Sequence, residues 1–179
     1  MIFISGVHGV GKSYFCNKVK AELGIDTFSA SRLISERKHT RFSSDKLIPN
    51  IDANQQYLLM AVQDLNASNF TYLLDGHFCL LNAEGQVTRI PSETFTALRP
   101  KAIVLLTEKP KIIANRRKQR DSIDHSVEDI HHFQEEEAIY AAEVAEKLGI
   151  PLKVSAGADD LNSTLDFVRA TLRRINNGR

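Results

Sequence analysis

Short apolar runs alternate along the chain with segments in which apolar residues recur every three or four positions. Residues 1–5 form a continuous apolar run, which is typical of a strand buried on both faces. Phe15, Val19 and Leu23 then recur at four-residue intervals and stop at Gly24, which predicts a helix with a glycine cap. This alternation of strand and helix indicates an α/β protein with parallel strand pairing through helical crossovers.

The same pattern predicts the remaining elements. We expect strands over residues 25–28, 70–74, 102–106 and 151–154, and a small hairpin or loop excursion over 78–90. Helices are predicted from Ser29 or Ser31 to about 37, and over 52–66, 92–98, 111–120, 126–148 and 159–175. The polar, basic stretch 38–50 is interpreted as a loop that can move. With no repeat and no linker in the sequence, we predict one domain over residues 1–179.

Composition narrows the class of protein. Apolar residues make up 42% and charged residues 25%, which is ordinary for a soluble globular protein. No apolar run approaches the ~18 residues of a membrane span. No basic segment precedes the first apolar run, so a signal peptide is not expected, and the two cysteines then favour the reducing cytoplasm. A net charge of +1 makes nucleic acid an unlikely partner.

A glycine-rich loop follows the first predicted strand. Residues 6–13 read Gly-Val-His-Gly-Val-Gly-Lys-Ser and match the phosphate-binding pattern G-x-x-x-x-G-K-S/T. Glycines allow backbone N–H groups to turn inward around an anion, and the following helix points its positive end at the same place. Lys12 can reach the β- and γ-phosphates, and Ser13 can bind Mg²⁺. We therefore expect nucleotide binding by Gly6, His8, Gly9, Val10, Gly11, Lys12, Ser13 and Tyr14. The alternatives are a glycine turn without a ligand and, for His8, a solvated side chain.

Two further segments carry candidate chemistry. Asp75 follows the apolar residues 72–74, so it belongs at the carboxyl end of a strand, where it can hold Mg²⁺ through water. The alternative is a turn aspartate. Arg116, Arg117 and Arg120 lie on or beside one face of a predicted helix, with Asp121 and Asp124 nearby to orient them. They are candidates for a catalytic lid, or else a solvated basic face or an RNA-binding patch.

These residues together resemble a known family. The glycine loop, Asp75-Gly76-His77, the segment 116–121 and the acidic, alanine-rich helix after it resemble the archaeal-type adenylate kinases and, more broadly, the P-loop nucleoside and nucleotide kinases. The resemblance implies a three-layer sandwich with a parallel sheet of about five strands and helices on both faces. It also implies ATP, Mg²⁺ and transfer of the γ-phosphoryl group to a nucleotide or nucleoside. Its lid falls at about 109–125, with Arg116, Arg117 and Arg120, and its acceptor-binding region at about 29–65.

The sequence departs from that family on the acceptor side. Ser35 stands where an arginine binds the AMP phosphate, and His77-Phe78-Cys79 replaces Phe-Pro-Arg. The remaining acceptor-binding candidates are Arg32, Arg37, Gln55 and His77. AMP is therefore in doubt, and the acceptor could instead be another small hydroxyl compound or an RNA 5′ end. A regulatory or assembly ATPase is the alternative outside the kinases. A hydroxyl acceptor requires a carboxylate base, for which the candidates are Asp45, Asp52 and Asp75.

Other polar clusters are interpreted as structural. His125, His131 and His132 do not follow a standard zinc spacing and are expected to be solvated. Cys16 is expected to be a core thiol. The run Glu135-Glu136-Glu137 is expected to form a solvated helix face.

Overall fold

Strands and helices alternate along the chain in a computed structural model that describes residues 1–38, 48, 50–68 and 70–177. The strands are β1 (Ile2–Ser5), β2 (Thr27–Ser29), β3 (Leu73–Asp75), β4 (Cys79–Leu81), β5 (Val87–Arg89), β6 (Ile103–Thr107) and β7 (Leu152–Ala156). The helices are α1 (Lys12–Leu23), α2 (Ala30–Lys38), α3 (Ile51–Ala67), α4 (Ser92–Leu98), α5 (Pro110–Asp121), α6 (Val127–Leu148) and α7 (Leu161–Asn177).

Five of the strands form one parallel sheet in the order β2-β3-β1-β6-β7. β1 lies at its centre, and its residue Ile4 is paired with Asp75 on one side and with Val104 on the other. The carboxyl ends of β1, β3 and β6 therefore meet at one edge. β4 and β5 form a separate antiparallel hairpin, as predicted. The predicted parallel sheet of about five strands with helices around it is confirmed.

The apolar pattern of β1 explains its central place. Ile2, Phe3 and Ile4 are all at most 2% exposed, because helices cover both faces of the sheet. The ring of Phe3 meets those of Phe78 and Phe95 edge-on, with centroids 5.2 and 5.6 Å apart. This aromatic group anchors the hairpin and α4 to the sheet beside the end of β3.

Most element boundaries lie within two residues of their predicted positions. The cap of α6 forms as expected, since the Ser126 side chain accepts a hydrogen bond from the Asp129 N–H. β3 is shorter than the apolar run 70–74. The carbonyl oxygen of Tyr72 still accepts a hydrogen bond from the Ile2 N–H at 3.0 Å, and the rings of Phe70 and Tyr72 pack against that of Phe28. At the two ends of the loop predicted over 38–50, Lys38 is the last residue of α2 and Asn50 caps α3. Residues 39–47 and 49, which include the base candidate Asp45, lie outside the described residues.

None of the described helices combines the length and the apolarity that crossing a membrane requires. The prediction of a single domain over residues 1–179 stays a prediction.

Candidate active site

The loop between β1 and α1 has a backbone that requires glycine. Gly6 and Gly11 have φ angles of +138° and +117°, in the left-handed region that other residues rarely adopt. A Cβ on Gly6 would lie 2.5 Å from the carbonyl oxygen of Leu106, and one on Gly9 would lie 3.0 Å from Cγ of Arg117. Side chains are thus excluded where the loop passes β6 and α5. The concave backbone predicted from the motif fits this geometry.

Lys12 is the first residue of α1 and is only 8% exposed. Its Nζ donates hydrogen bonds to the carbonyl oxygens of Gly6, at 2.5 Å, and Val7, at 3.4 Å, and lies 3.1 Å from Nε2 of His77. Burial lowers the pKa of Lys12, and the nearby carboxylates of Asp75 and Glu137 oppose this shift. The ammonium is therefore held inside the loop, close to two acidic groups.

Asp75 ends β3 directly beside β1, as the sequence predicted. Burial raises the pKa of Asp75, and the ammonium of Lys12 partly counteracts the rise. His77 follows after one glycine, and its ring centroid lies 4.3 Å from that of His8 in the phosphate loop. A carboxylate, two imidazoles and an ammonium thus converge at the carboxyl edge of the sheet.

Glu137 is a buried carboxyl group that the sequence analysis placed on a solvated helix face, and that expectation was wrong. It is 0% exposed, whereas the Glu135 side chain is 57% exposed. Its carboxylate accepts hydrogen bonds from the backbone N–H groups of Phe78 and Cys79, at 2.8 and 2.7 Å, and from the hydroxyl of Ser5. Burial raises the pKa of Glu137, and these three donors oppose the rise.

The spacing of apolar residues in α6 does indicate that Glu137 faces the core. Position 137 continues the inward stripe of α6, four residues after Phe133 and four before Ala141, both of which are buried. A glutamate in such a stripe needs buried donors, and the chain supplies them from β1 and from the segment after His77.

The arginines of α5 reach back to the phosphate loop. Arg116 donates from Nη1 to the carbonyl oxygen of Val10 at 3.0 Å, and Arg117 donates from Nε to that of His8 at 2.8 Å. Arg120 instead binds both carboxylate oxygens of Asp121, at 2.5 and 2.6 Å. Asp121 thus contacts an arginine as expected, whereas Asp124 pairs with Lys118 at 2.7 Å.

A cavity of about 420 Å³ extends from the phosphate loop between the sheet edge and the helices α2, α3 and α4. Its volume is in the range typical of small-molecule sites. The predicted site residues on its wall are His8, Gly9, Gly11, Lys12, Ser13, Tyr14, Gln55, Asp75, His77 and Arg120. Beyond the loop its wall is formed by residues of α2, α3 and α4 and of the hairpin, so one space joins the loop to a second compartment.

The comparisons with known proteins agree with this geometry. A family model described as an AAA domain matches residues 5–134, a span that contains the loop, Asp75 and the arginines of α5. The chain belongs to this AAA-domain family. No curated protein matches the chain.

Solved structures share the fold of this AAA domain at low sequence identity. A shikimate kinase from Acinetobacter baumannii in complex with shikimate is 12% identical, with a TM-score of 0.59 over 97% of this chain and 93% of that one. A shikimate kinase from Bacteroides thetaiotaomicron, also 12% identical, has a TM-score of 0.57 over 96% and 97%. A gluconokinase from Sinorhizobium meliloti 1021, 15% identical, has a TM-score of 0.53 over 99% and 93%. The specific resemblance to archaeal-type adenylate kinases stays a prediction.

Two predicted acceptor-binding residues of the AAA domain do not lie on the cavity wall. Arg32 is bound to Glu36 one turn along α2, at 2.8 Å, and its side chain is 81% exposed. Arg37 pairs with Asp64 of α3 and lines a separate surface hollow. Both arginines thus pair with local carboxylates outside the cavity. Gly6, Val10, Arg116 and Arg117 also do not line the cavity, but they shape or contact the loop.

The remaining candidate residues differ in whether they are exposed, buried or on the cavity wall. Asp52 is exposed in the first turn of α3 and off the cavity wall, so Asp75 is the base candidate that lines the cavity among the described residues. Within the described part of the chain, no three His, Cys, Asp or Glu side chains form a metal-binding group. Cys16 is buried, and burial raises the pKa of its thiol to about 12.

Proposed function

We propose that this AAA domain is an ATP-dependent phosphotransferase that moves the γ-phosphoryl group of ATP to a small acceptor, a nucleotide or nucleoside. The observation that carries the proposal is the single cavity, which joins the phosphate loop and Lys12 to a second compartment between α2, α3 and α4. A protein that only binds and hydrolyses ATP has no need of an acceptor compartment opening onto its phosphate loop.

The donor half of the cavity fits a triphosphate. The left-handed glycines make the loop concave, and the buried ammonium of Lys12 supplies a positive charge inside it. ATP would be held there by the backbone N–H groups of residues 9–13 and by Lys12. Binding of the phosphates would give Lys12 acceptors in exchange for the carbonyl oxygens of Gly6 and Val7.

The site also offers ligands for Mg²⁺. Ser13 and Asp75 both line the cavity, and a hydroxyl and a carboxylate are the oxygen ligands that this ion takes at phosphate sites. Ser13 would bind Mg²⁺ directly and Asp75 through water. When bound, Mg²⁺ neutralises charge on the β- and γ-phosphates.

Arg120 is the lid residue nearest to the reacting groups in this scheme, since it lines the cavity while Arg116 and Arg117 hold the loop from behind. Charge builds on the oxygens of the γ-phosphoryl group during transfer, and a guanidinium that reaches them stabilises the transition state. Its pairing with Asp121 keeps Arg120 oriented beside the cavity.

The shared fold supports the proposal. Proteins named shikimate kinase and gluconokinase have the same arrangement of sheet and helices, and their names describe phosphoryl transfer to small molecules. A kinase that uses cellular ATP and keeps its two thiols reduced would act in the cytoplasm.

The test is acceptor-dependent formation of ADP. The purified protein is incubated with ATP and Mg²⁺, with and without a panel of nucleosides, nucleotides and small hydroxyl compounds, and ADP and phosphorylated product are both quantified. We expect ADP to form together with an equal amount of phosphorylated acceptor. Phosphate release at the same rate with and without every acceptor would contradict the proposal and favour a regulatory ATPase.

A further inference from the structure

Among the described residues, those that line the acceptor half of the cavity are uncharged. Resting on the proposed phosphotransferase function, we propose that the acceptor is an uncharged hydroxyl compound with a flat or apolar body, of which a nucleoside is the type, and not a phosphorylated or carboxylated molecule.

The polar groups in this half are amides and hydroxyls. Asn54 and Gln55 on α3 are 3% and 5% exposed, and Thr94 on α4 is 5% exposed, yet all three line the cavity. Nε2 of Gln55 donates to the carbonyl oxygen of Ile51 at 3.3 Å, which fixes the orientation of the amide. Ser31 completes this group at the start of α2. Such groups can donate to and accept from sugar-like hydroxyls or base edges without adding charge.

The remaining wall of this half is apolar. It includes a phenyl ring, Phe95, which is packed at 4.6 Å against Phe78 and thereby held in place. Aliphatic side chains also line the cavity, among them Ile34, Leu58 and Leu98. Against the described residues of this wall, a phosphate or carboxylate would lose water without gaining a counter-charge, which is costly, whereas a heterocyclic base would bury apolar surface.

None of the described Lys and Arg side chains lines the acceptor half of the cavity, although Lys38 binds one of its wall residues. Lys12 and Arg120 lie at the donor end, where they are proposed to face the phosphates of ATP. Lys38 is bound to Oδ1 of Asn54 at 2.8 Å and does not line the cavity. Arg32 and Arg37 are paired with carboxylates outside it. The carboxylate of Asp75 would in addition repel an anionic acceptor.

With an uncharged hydroxyl acceptor, Asp75 acts as the general base. The acceptor oxygen attacks the γ-phosphorus and forms the new P–O bond. The bond between that phosphorus and the β–γ bridging oxygen breaks, and ADP leaves with the electron pair. The proton of the hydroxyl passes to the Asp75 carboxylate, which lines the same cavity. No oxidant or further reactant is needed.

The experiment compares matched acceptors that differ in charge. With ATP and Mg²⁺, adenosine, guanosine, cytidine and uridine are each paired with their 5′-monophosphates, and the methyl ester of shikimate is paired with shikimate. We expect kcat/KM for at least one uncharged member to exceed that of its charged partner by about tenfold or more, as an unpaired buried charge would dictate. A preference for charged members would overturn this inference and leave phosphotransfer standing. If none of these compounds stimulates the formation of ADP, both this inference and the proposed phosphotransferase function are overturned.

Two pairs of variants locate the effect. Gln55→Ala should raise KM for the uncharged acceptor about fivefold to tenfold through loss of a buried hydrogen bond, whereas Gln56→Ala on the exposed face should not. Ser31→Arg places a guanidinium at the cavity, and Gln56→Arg adds the same charge elsewhere. Only Ser31→Arg should shift preference towards the charged partner, and equal kinetics in all four variants would overturn the assignment of this half to the acceptor.

Discussion

Glu137 is a buried acidic residue that links β1 to the segment after His77, on two sides of the candidate active site. Its carboxylate binds Ser5, the last residue before the phosphate loop, and the backbone of Phe78 and Cys79, just after His77. His77 in turn lies 3.1 Å from Lys12. A single side chain of α6 therefore fixes the start of the loop relative to the residues that follow Asp75.

Removing this carboxylate should destabilise the fold. Glu137→Ala leaves two buried backbone N–H groups and one hydroxyl without their acceptor, each worth about 1–3 kcal/mol. We expect the free energy of unfolding, measured by denaturant titration, to fall by about 3 kcal/mol or more. Glu135→Ala, two residues earlier on the exposed face, should change it by less than about 0.5 kcal/mol. Equal losses in the two variants would contradict the structural role of Glu137.

Helix α5 is the element that connects the arginines predicted to form a lid to the phosphate loop. It packs against α6 and directs Arg116 and Arg117 at the carbonyl oxygens of Val10 and His8. Its next turn carries Arg120 on the cavity wall. The phosphate loop and α5 are thus joined directly by two hydrogen bonds.

Arg120→Ala should affect turnover far more than ATP binding. Loss of a guanidinium that acts on the transferring group is expected to lower kcat about 10³-fold, with a much smaller change in KM for ATP. Steady-state kinetics measure both constants. Lys118→Ala in the same helix, where Lys118 pairs with Asp124 away from the cavity, is the matched control. Normal kcat in both Arg116→Ala and Arg120→Ala would show that α5 is not a catalytic lid.

The turn between β7 and α7 contains a pH-sensitive contact. Asp160 accepts hydrogen bonds from the side chains of Ser163 and Lys153 and from the Ala156 N–H, and these donors lower its pKa from 3.8 to about 2. Because the folded pKa lies below the unfolded one, the stabilisation is present above pH 3.8 and is lost as the pH falls towards 2.

Thermal unfolding at a series of pH values tests this contact. Wild type should melt at a higher temperature than Asp160→Asn at neutral pH, and the difference between their Tm values should shrink below pH 3.8. Asp159→Asn, one residue earlier and exposed on the surface, is the control. A difference that stays constant or widens in acid would contradict the assignment.

At the scale of the whole molecule, the parallel sheet places the phosphate loop and the acidic residues near it at one edge. The phosphate loop follows β1, Asp75 ends β3, and Glu108, which binds Arg116 at 3.3 Å, follows β6. These strands are neighbours, so their carboxyl ends place the three groups side by side. The sequence predicted this edge because buried strands and the glycine motif are both local patterns.

Long-range contacts explain what sequence reasoning missed. Glu137 binds residues 58, 59 and 132 positions away, and no spacing rule within α6 names such partners. Arg37 was a candidate for the acceptor site, but it is held by Asp64, 27 residues later, on a neighbouring helix. The loop was predictable because its motif is a run of consecutive residues, whereas the cavity wall beyond the loop is assembled from three helices and the hairpin.

The central claim is that the loop with Lys12 binds a nucleoside triphosphate, and isothermal titration calorimetry with ATP and Mg²⁺ tests it most directly. We predict measurable heat with one ATP bound per chain, and at least about tenfold weaker binding in Lys12→Ala, because a buried charge–phosphate contact is lost. Lys20→Ala, which alters an exposed lysine of the same helix, should bind as wild type does. Absence of heat in wild type, or equal affinity in Lys12→Ala and wild type, would contradict the account.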